Sequence, residues 1–155
     1  MALFENANES NLRACVLMVE HVLVGRGLDV AASRVPSDGG PAWAIRQGSA
    51  QVLVFLTAGR AEYNTIQVIA PVMRASQETL AGTAFYRRLL ELNAQGLQQA
   101  AFGLRGDDVV LTADRSTAGL DPVEVEEMIR RVADYADHYD DTLVAEFGGK
   151  RSSDL

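Results

Sequence analysis

The chain has 155 residues, 48% hydrophobic and 23% charged, a balance typical of a single globular domain. Its 21 acidic and 14 basic residues give a net charge of −7, and apart from Lys150-Arg151 it has no basic run. Binding to nucleic acid phosphates or to an anionic membrane surface is therefore disfavoured. No apolar run reaches the roughly 18 residues that span a bilayer, and residues 1–6 lack the pattern of a signal peptide. With a single cysteine as well, these features predict a cytoplasmic protein.

The N-terminal part predicts a long helix followed by a loop. Apolar residues recur at three- and four-residue steps over residues 8–26, which is the spacing of an amphipathic helix. Gly25 and Gly27 then provide a stop. Residues 33–41 are rich in Ser, Pro and Gly, and they predict a loop.

Three strands are predicted next, over residues 42–47, 50–58 and 62–71. Gly48-Ser49 has the chemistry of a tight hairpin turn between the first two strands. Pro71 suits the end of the third strand, because proline has no N–H to donate to a neighbouring strand.

The second half predicts a helix, a hairpin and a final helix. The helix begins near Ser76 and ends at Gly96, and the hairpin pairs residues 99–104 with 108–114 around Gly106-Asp107. The final helix has the strongest signals of all. Asp121 is its N-cap, Pro122 its first residue and Glu124 the partner in a capping box, and the apolar stripe continues until Gly148-Gly149.

These elements predict an α+β fold with a single antiparallel sheet, in the order α-β-β-β-α-β-β-α. We expect one domain over residues 1–155, with a core over about 8–149 and a flexible tail over 150–155. The first and last helices should pack on one face of the sheet. That face carries Trp43, Ile45, Val54, Phe102 and Leu111.

The opposite face of the sheet is also apolar. The second strand, residues 50–58, is apolar without alternation, which predicts that both of its faces are at least partly covered. Pairing across the Gly48-Ser49 turn leaves four large apolar residues on the second face, here called the strand patch: Leu53, Phe55, Tyr63 and Ile69. An apolar patch with a polar rim is typical of an interaction surface, either for a partner protein or for a second copy of the chain. The alternative is that a helix of the same chain covers this face.

Residues that could carry catalysis are few. His21 lies in the first helix without an evident orienting partner, and His138 lies among aspartates that suit a solvated helix face better than a metal site. Cys15 falls on the apolar stripe of the first helix, as a small core residue would. We therefore predict no catalytic, metal-binding or cofactor-binding residues and no enzyme activity.

Several segments of the second half resemble the YbjN-like family, described as bacterial sensory transduction regulators with a type III secretion chaperone-like fold. The matching segments are Leu92-Asn93, residues 102–111, Gly119-Leu120-Asp121, residues 133–140 and Phe147-Gly148-Gly149. The resemblance implies a small dimeric module that binds protein segments, and it supplies no catalytic residue. Our leading hypothesis is a chaperone- or adaptor-like protein-binding module, and the alternative is a regulatory domain that senses a small ligand in an apolar pocket.

Overall fold

The computed structural model describes residues 2–59 and 63–155, with side chains over 7–59 and 63–155. Within these residues, the chain forms five α-helices and seven strands. The helices are α1 (Ala2–Gly25), α2 (Val30–Ser33), α3 (Gln77–Ala81), α4 (Thr83–Gln95) and α5 (Pro122–Phe147). The strands are β1 (Arg34–Val35), β2 (Ala42–Gln47), β3 (Ala50–Thr57), β4 (Thr65–Arg74), β5 (Ala101–Arg105), β6 (Asp108–Ser116) and β7 (Lys150–Arg151). A short 3₁₀ helix over Ser152–Asp154 follows β7.

The strands form one sheet in the order β1-β2-β3-β4-β6-β5, and β7 pairs with β4. In the antiparallel hairpin of β5 and β6, Phe102 lies opposite Leu111 and Leu104 opposite Val109. Gly48 and Gly106 occupy the two hairpin turns with φ of +61°, a conformation that glycine adopts without steric cost. The predicted fold class, α+β with an antiparallel sheet, is confirmed.

The start of α5 follows the predicted capping box. The backbone N–H of Glu124 donates to Asp121 Oδ1 at 2.9 Å, and the backbone N–H of Asp121 donates to Glu124 Oε2 at 3.1 Å. At the other end, Gly149 has φ of +91°, and a Cβ there would lie 2.4 Å from the carbonyl oxygen of Arg74. Glycine is therefore required where the chain leaves α5 and approaches β4.

Strand β4 does not end at Pro71, so that part of the prediction is wrong. The strand continues to Arg74, with Val72 and Met73 both buried. Met73 and Arg74 pair with Arg151 and Lys150 of β7. This burial and pairing extend the strand beyond its proline, although the proline itself cannot donate to a neighbouring strand.

The predicted second helix is divided into α3 and α4. Ser76 caps α3 as predicted, since its Oγ accepts the N–H of Thr79 at 3.1 Å. Gly82 then has extended backbone angles, with φ of −93° and ψ of 139°, and it serves as the N-cap of α4. Glycine loses more conformational freedom in a helix than any other residue, which favours a break at this position.

Two other segments also have more structure than the sequence predicts. The predicted loop over 33–41 includes β1, which pairs with Ala42 and Trp43 of β2. Residues 150–155, expected to be a flexible tail, contain β7 and the 3₁₀ helix. Strand β1 pairs with the next strand in the chain and β7 with the distant β4, and no local pattern marks either of them in the sequence.

The five residues predicted to form the core face of the sheet are all buried. One of them, Phe102, contacts Tyr139 of α5 edge to face, with ring centroids 5.4 Å apart. This contact fits the predicted packing of the last helix on that face. Among the described helices, none is both long enough and apolar enough to cross a membrane.

Backbone contacts divide the chain into two compact units, each composed of three segments. The first unit contains Met1–Ile45, Leu53–Val68 and Asp114–Ile129. The second contains Arg46–Val52, Ile69–Ala113 and Arg130–Leu155. Whether the chain behaves as one domain stays a prediction.

Candidate functional site

Three residues of the strand patch remain accessible. Leu53 and Phe55 lie on β3, where they alternate with the buried Val52, Val54 and Leu56 and are themselves only partly covered. Tyr63, which precedes β4, is 55% exposed. All three belong to the first unit.

Ile69 differs from the other three residues of the strand patch. It belongs to the second unit and is only 3% exposed, within a run of buried residues in β4 that also includes Val68 and Ala70. Consecutive buried residues show that both faces of β4 are covered at this point. Ile69 therefore offers a partner no surface in this conformation.

Tyr63 is positioned by its neighbour Asn64, a buried polar residue that is 1% exposed. The amide nitrogen of Asn64 donates to the carbonyl oxygen of Asn8 at 2.8 Å and to Asn11 Oδ1 at 2.9 Å. Its backbone carbonyl accepts the N–H of Thr117 at 2.9 Å. A buried polar residue with satisfied hydrogen bonds holds its segment firmly, because moving it would leave polar groups unpaired. The start of β4 is thereby fixed to α1 and to the residue that follows β6.

Gly59, on the other side of the undescribed residues 60–62, approaches the same segment closely. Its N–H donates to Asn64 Oδ1 at 3.3 Å. A Cβ at this position would lie 1.8 Å from the carbonyl oxygen of Tyr63, so only glycine fits. Sequence reasoning treated this glycine as part of a simple loop and did not identify Asn64.

The structure also exposes apolar side chains that the sequence analysis did not single out. In the first unit, Leu17 and Val24 of α1 lie seven residues apart, so they share a helix face outside the predicted stripe. In the second unit, Tyr86 and Leu90 lie one turn apart on α4, and Leu90 is 67% exposed. We call these two residues the α4 face. The sequence shows the four-residue spacing of Tyr86 and Leu90 but does not show that both are exposed. The adjacent Leu89 is buried instead.

The second unit contains a small polar cavity of about 150 Å³. Five apolar residues line part of it, namely Ala50, Pro71, Val72, Ala136 and Leu155. The other seven lining residues are polar or charged: Arg46, Ser49, Gln51, Asp137, Asp140, Ser152 and Ser153.

Asp140 is the buried charge of the polar cavity, with 8% of its surface exposed. Its Oδ1 accepts the backbone N–H of Asp141 at 2.6 Å. Burial raises the pKa of Asp140, and the neighbouring carboxylates of Asp141 and Asp137 raise it further. The opposing attraction of Arg151 is weaker than burial. The sequence analysis placed this residue on a solvated helix face, because no local pattern indicates that the segment after α5 pairs with β4.

The residues considered for catalysis, His21, His138 and Cys15, show no catalytic arrangement. His21 and His138 are both exposed, and the ring of His138 contacts Tyr139 edge to face at 4.7 Å. Cys15 is buried, as predicted, and its burial raises the pKa of its thiol, which disfavours the reactive thiolate. Among the side chains that the structure describes, no group of three or more His, Cys, Asp or Glu residues could hold a metal ion.

Solved structures with the same fold include chains of three protein complexes. A chain of the ExsC-ExsE complex is 18% identical, with a TM-score of 0.64, and the match covers 84% of this chain and 94% of that one. A chain of the HopA1-SchA chaperone-effector complex is 11% identical, with a TM-score of 0.57 and coverage of 86% and 97%. A chain of the ExoT-SpcS complex from Pseudomonas aeruginosa is 10% identical, with a TM-score of 0.51 and coverage of 78% and 92%. At these identities the similarity shows the fold alone.

No curated protein matches the sequence. A family model, however, matches residues 16–155, which extends the resemblance seen in the second half to nearly the whole chain. The chain therefore belongs to the family described as the T3SS (YopN, CesT) and YbjN peptide-binding chaperones.

Proposed function

We propose that this protein is a non-enzymatic, chaperone- or adaptor-like module that holds a peptide segment of another protein. Membership of a peptide-binding chaperone family supports this function. The presence of the same fold in a chaperone-effector complex supports it as well. A location in the cytoplasm remains a prediction.

The observation that carries the proposal is the partial exposure of Leu53, Phe55 and Tyr63. Two of them are alternate residues of β3, and the residues that continue the same side of that strand, Gln51 and Thr57, are polar and exposed. An apolar centre with a polar rim is the usual anatomy of a protein-binding surface. Aromatic residues such as Phe55 and Tyr63 contribute a large contact area with few rotatable bonds, which suits them to anchor a peptide.

The polar cavity does not favour the alternative function of a small-ligand sensor. Pockets for such ligands usually enclose about 300–1,000 Å³ and are lined mainly by apolar side chains. The polar cavity has a volume of about 150 Å³, and most of its lining residues are polar or charged. We therefore assign the main function to the strand patch.

The decisive experiment compares peptide binding by the wild type and by a Phe55→Asp, Tyr63→Asp double variant. Peptides are selected from a random library on the wild-type protein, and their affinities are then measured by fluorescence anisotropy. The double variant should bind at least tenfold more weakly, because each carboxylate would be desolvated against apolar peptide side chains.

A matched control carries two new carboxylates away from the strand patch, at Ala31→Asp and Ser37→Asp, which are exposed positions of the first unit. Its affinity should stay within threefold of the wild type. Equal binding by both variants would move the peptide site elsewhere, to a sheet edge for example. Selection of no peptide at all would overturn the proposed function.

We further propose that the protein is a homodimer joined through the α4 face, which leaves the strand patch open for the peptide. Tyr86 and Leu90 form an exposed apolar pair on one side of a helix, and a second copy could bury the pair on both chains at once.

A further inference from the structure

Residues 150–155, here called the strap, lie along one edge of β4. Strand β7 of the strap pairs antiparallel with Met73 and Arg74 at the end of β4. On the side of β4 that faces β6, the N–H of Ala75 donates to the carbonyl oxygen of Asp107 at 2.9 Å. A strand has only two edges along which it can pair, so β7 occupies the edge opposite β6.

The strap is held by few contacts. All six of its residues are exposed or half-buried. Its main anchor is the guanidinium of Arg151, which donates to Asp141 of α5 at 3.0 Å and to Asp154 of the strap itself at 2.9 Å. The side chain of Asp141 is 75% exposed, and an ion pair so exposed contributes little to stability. A segment with two strand pairs and no buried side chain opens at a low cost in free energy.

Two glycines form a hinge between α5 and the strap. Gly148 and Gly149 have φ of +73° and +91°, and glycine can leave such angles for others without steric strain. Gly149 also passes close to β4. A Cβ at this position would clash with the carbonyl oxygen of Arg74 and would lie 3.0 Å from Met73 Cε. Any side chain at position 149 would therefore push the strap away from β4.

Release of the strap would open a surface that suits an extended peptide. The main chain of Met73 and Arg74 would lose its pairing with β7, and the side chains of Val72 and Met73, each 1% exposed, would lose neighbours. The strap also contributes three residues to the wall of the polar cavity, namely Ser152, Ser153 and Leu155. Extended peptides commonly add as extra strands to an open strand edge, where neighbouring side chains select the sequence.

We propose that this edge of β4 is a second peptide site, which takes an extended, arginine-containing segment of a partner protein in place of the strap. The strap itself supports this choice of occupant. Its backbone pairs with β4 while Arg151, opposite Met73, reaches Asp141, and a partner segment takes over both contacts. When no partner is bound, the strap covers the edge, which protects it from unspecific strand pairing. The site uses none of the residues of the strand patch, so it does not depend on the proposed function.

The probe for this site is a fluorescein-labelled peptide with the sequence of residues 148–155. Its affinity for the intact chain is measured by anisotropy, and its position by NMR of the ¹⁵N-labelled protein. The probe should shift the amides of residues 72–74 and move those of residues 150 and 151 to values typical of a disordered chain. Replacing the arginine of the probe by norleucine should weaken binding about threefold, because the ion pair with Asp141 is lost.

Variants of the strap test the competition. Arg151→Ala weakens the strap but leaves the site intact, so it should bind the probe about threefold more tightly than the wild type. Gly149→Ala displaces the strap by the clash with β4 and should bind about tenfold more tightly. Asp141→Ala removes the same ion pair from the strap and from the probe, so the affinity should not change. Lys150→Ala is the matched control, since it alters the exposed basic neighbour of Arg151, and it should bind as the wild type does.

Three outcomes would overturn the proposal. The first is a lack of probe binding to both the wild type and the Gly149→Ala variant. The second is loss of probe binding in the Phe55→Asp, Tyr63→Asp variant, which would place the probe on the strand patch and leave the proposed function standing. The third is a set of NOEs between residues 72–74 of one chain and the strap of another, which would assign the edge to a second copy.

Peptides of foreign sequence test whether the site serves a partner. They are selected from a random library on the Gly149→Ala variant and then challenged with the probe. Some of them should be displaced by the probe, and these should share an arginine whose replacement by norleucine weakens binding about threefold. If the probe displaces none of the selected peptides, the edge of β4 serves the strap alone and the proposal is wrong.

Discussion

Asp140 and Asp108 are carboxylates whose surroundings act in opposite directions. Burial raises the pKa of Asp140, so the folded protein disfavours its charged form. The hydrogen bond from the Arg74 guanidinium, 2.7 Å from Asp108 Oδ1, lowers the pKa of Asp108 and so favours its charged form. Asp140 therefore reduces stability at neutral pH, whereas Asp108 adds to it. The Arg74–Asp108 pair is largely exposed, so its contribution is modest.

Replacing Asp140 by Asn should stabilise the protein at pH 7. The raised pKa means that the stabilising form is the protonated one, fully present below the ordinary value of 3.8 and lost as pH rises through the raised value. An amide keeps the acceptor for the Asp141 N–H and carries no charge. We expect Tm to rise by about 2–4 °C at pH 7, the shift that roughly 1 kcal/mol produces in a chain of this size. Melting curves from pH 3 to pH 7 should show the gain shrinking as pH falls through the raised pKa of Asp140 and absent below the ordinary value of 3.8, and a gain that is equal at all pH values would contradict the assignment.

At the same scale, the sequence predicted apolar burial better than polar burial. Trp43, Val54 and Leu111 are buried as their alternation predicts. Asn64 and Asp140 are also buried, but a polar residue in a loop or on a helix is exposed by default. Their burial arises from segments distant in sequence, namely α1 with residue 117 for Asn64 and the residues after α5 for Asp140. No local pattern could have identified them.

The elements predicted most accurately are those whose signals are local. The capping box defines the start of α5, and the Gly48-Ser49 turn defines the end of β2 and the start of β3. The errors concern elements that depend on distant pairing, such as β7 and the extension of β4 past Pro71. Ile69 of the strand patch is a further example, because residues outside β4 bury it and the pattern of its own strand does not show this.

Removing the N-cap of α5 should destabilise the protein measurably. Asp121→Ala deletes the acceptor for the N–H of Glu124 and leaves that group of the first turn without its partner. Loss of an N-cap usually costs about 1 kcal/mol. Urea unfolding should therefore show a lower free energy of unfolding by about that amount. Asp134→Ala, at an exposed position in the middle of the same helix, should change it by less than about 0.5 kcal/mol.

At the scale of the whole molecule, the chain retains more exposed apolar surface than one binding site requires. Leu53, Phe55 and Tyr63 remain accessible in the first unit, and Tyr86 and Leu90 in the second. Scattered single apolar residues are normal on a protein surface, but pairs that share one face need an explanation. Both sets of exposed apolar residues are explained if the strand patch binds a peptide and the α4 face binds a second copy of the chain.

The dimer assignment predicts different behaviour for charged substitutions at the two surfaces. In a two-fold symmetric dimer, each α4 face meets its own copy, so every substitution acts twice. A Tyr86→Asp, Leu90→Asp variant should therefore sediment as a monomer at concentrations where the wild type is a dimer. Ala84→Asp, Gln95→Asp is the matched control, since both positions are exposed on α4 and face away from Leu90, and it should remain a dimer.

The decisive comparison is with the Phe55→Asp, Tyr63→Asp variant in the same sedimentation experiment. It should remain a dimer while binding peptide weakly, because the strand patch and the α4 face have separate roles. If it sediments as a monomer, the strand patch is the subunit interface and the peptide must bind elsewhere. If the wild type is monomeric at every concentration, the dimer is refuted, and the apolar pair on α4 becomes a second surface available to the bound protein.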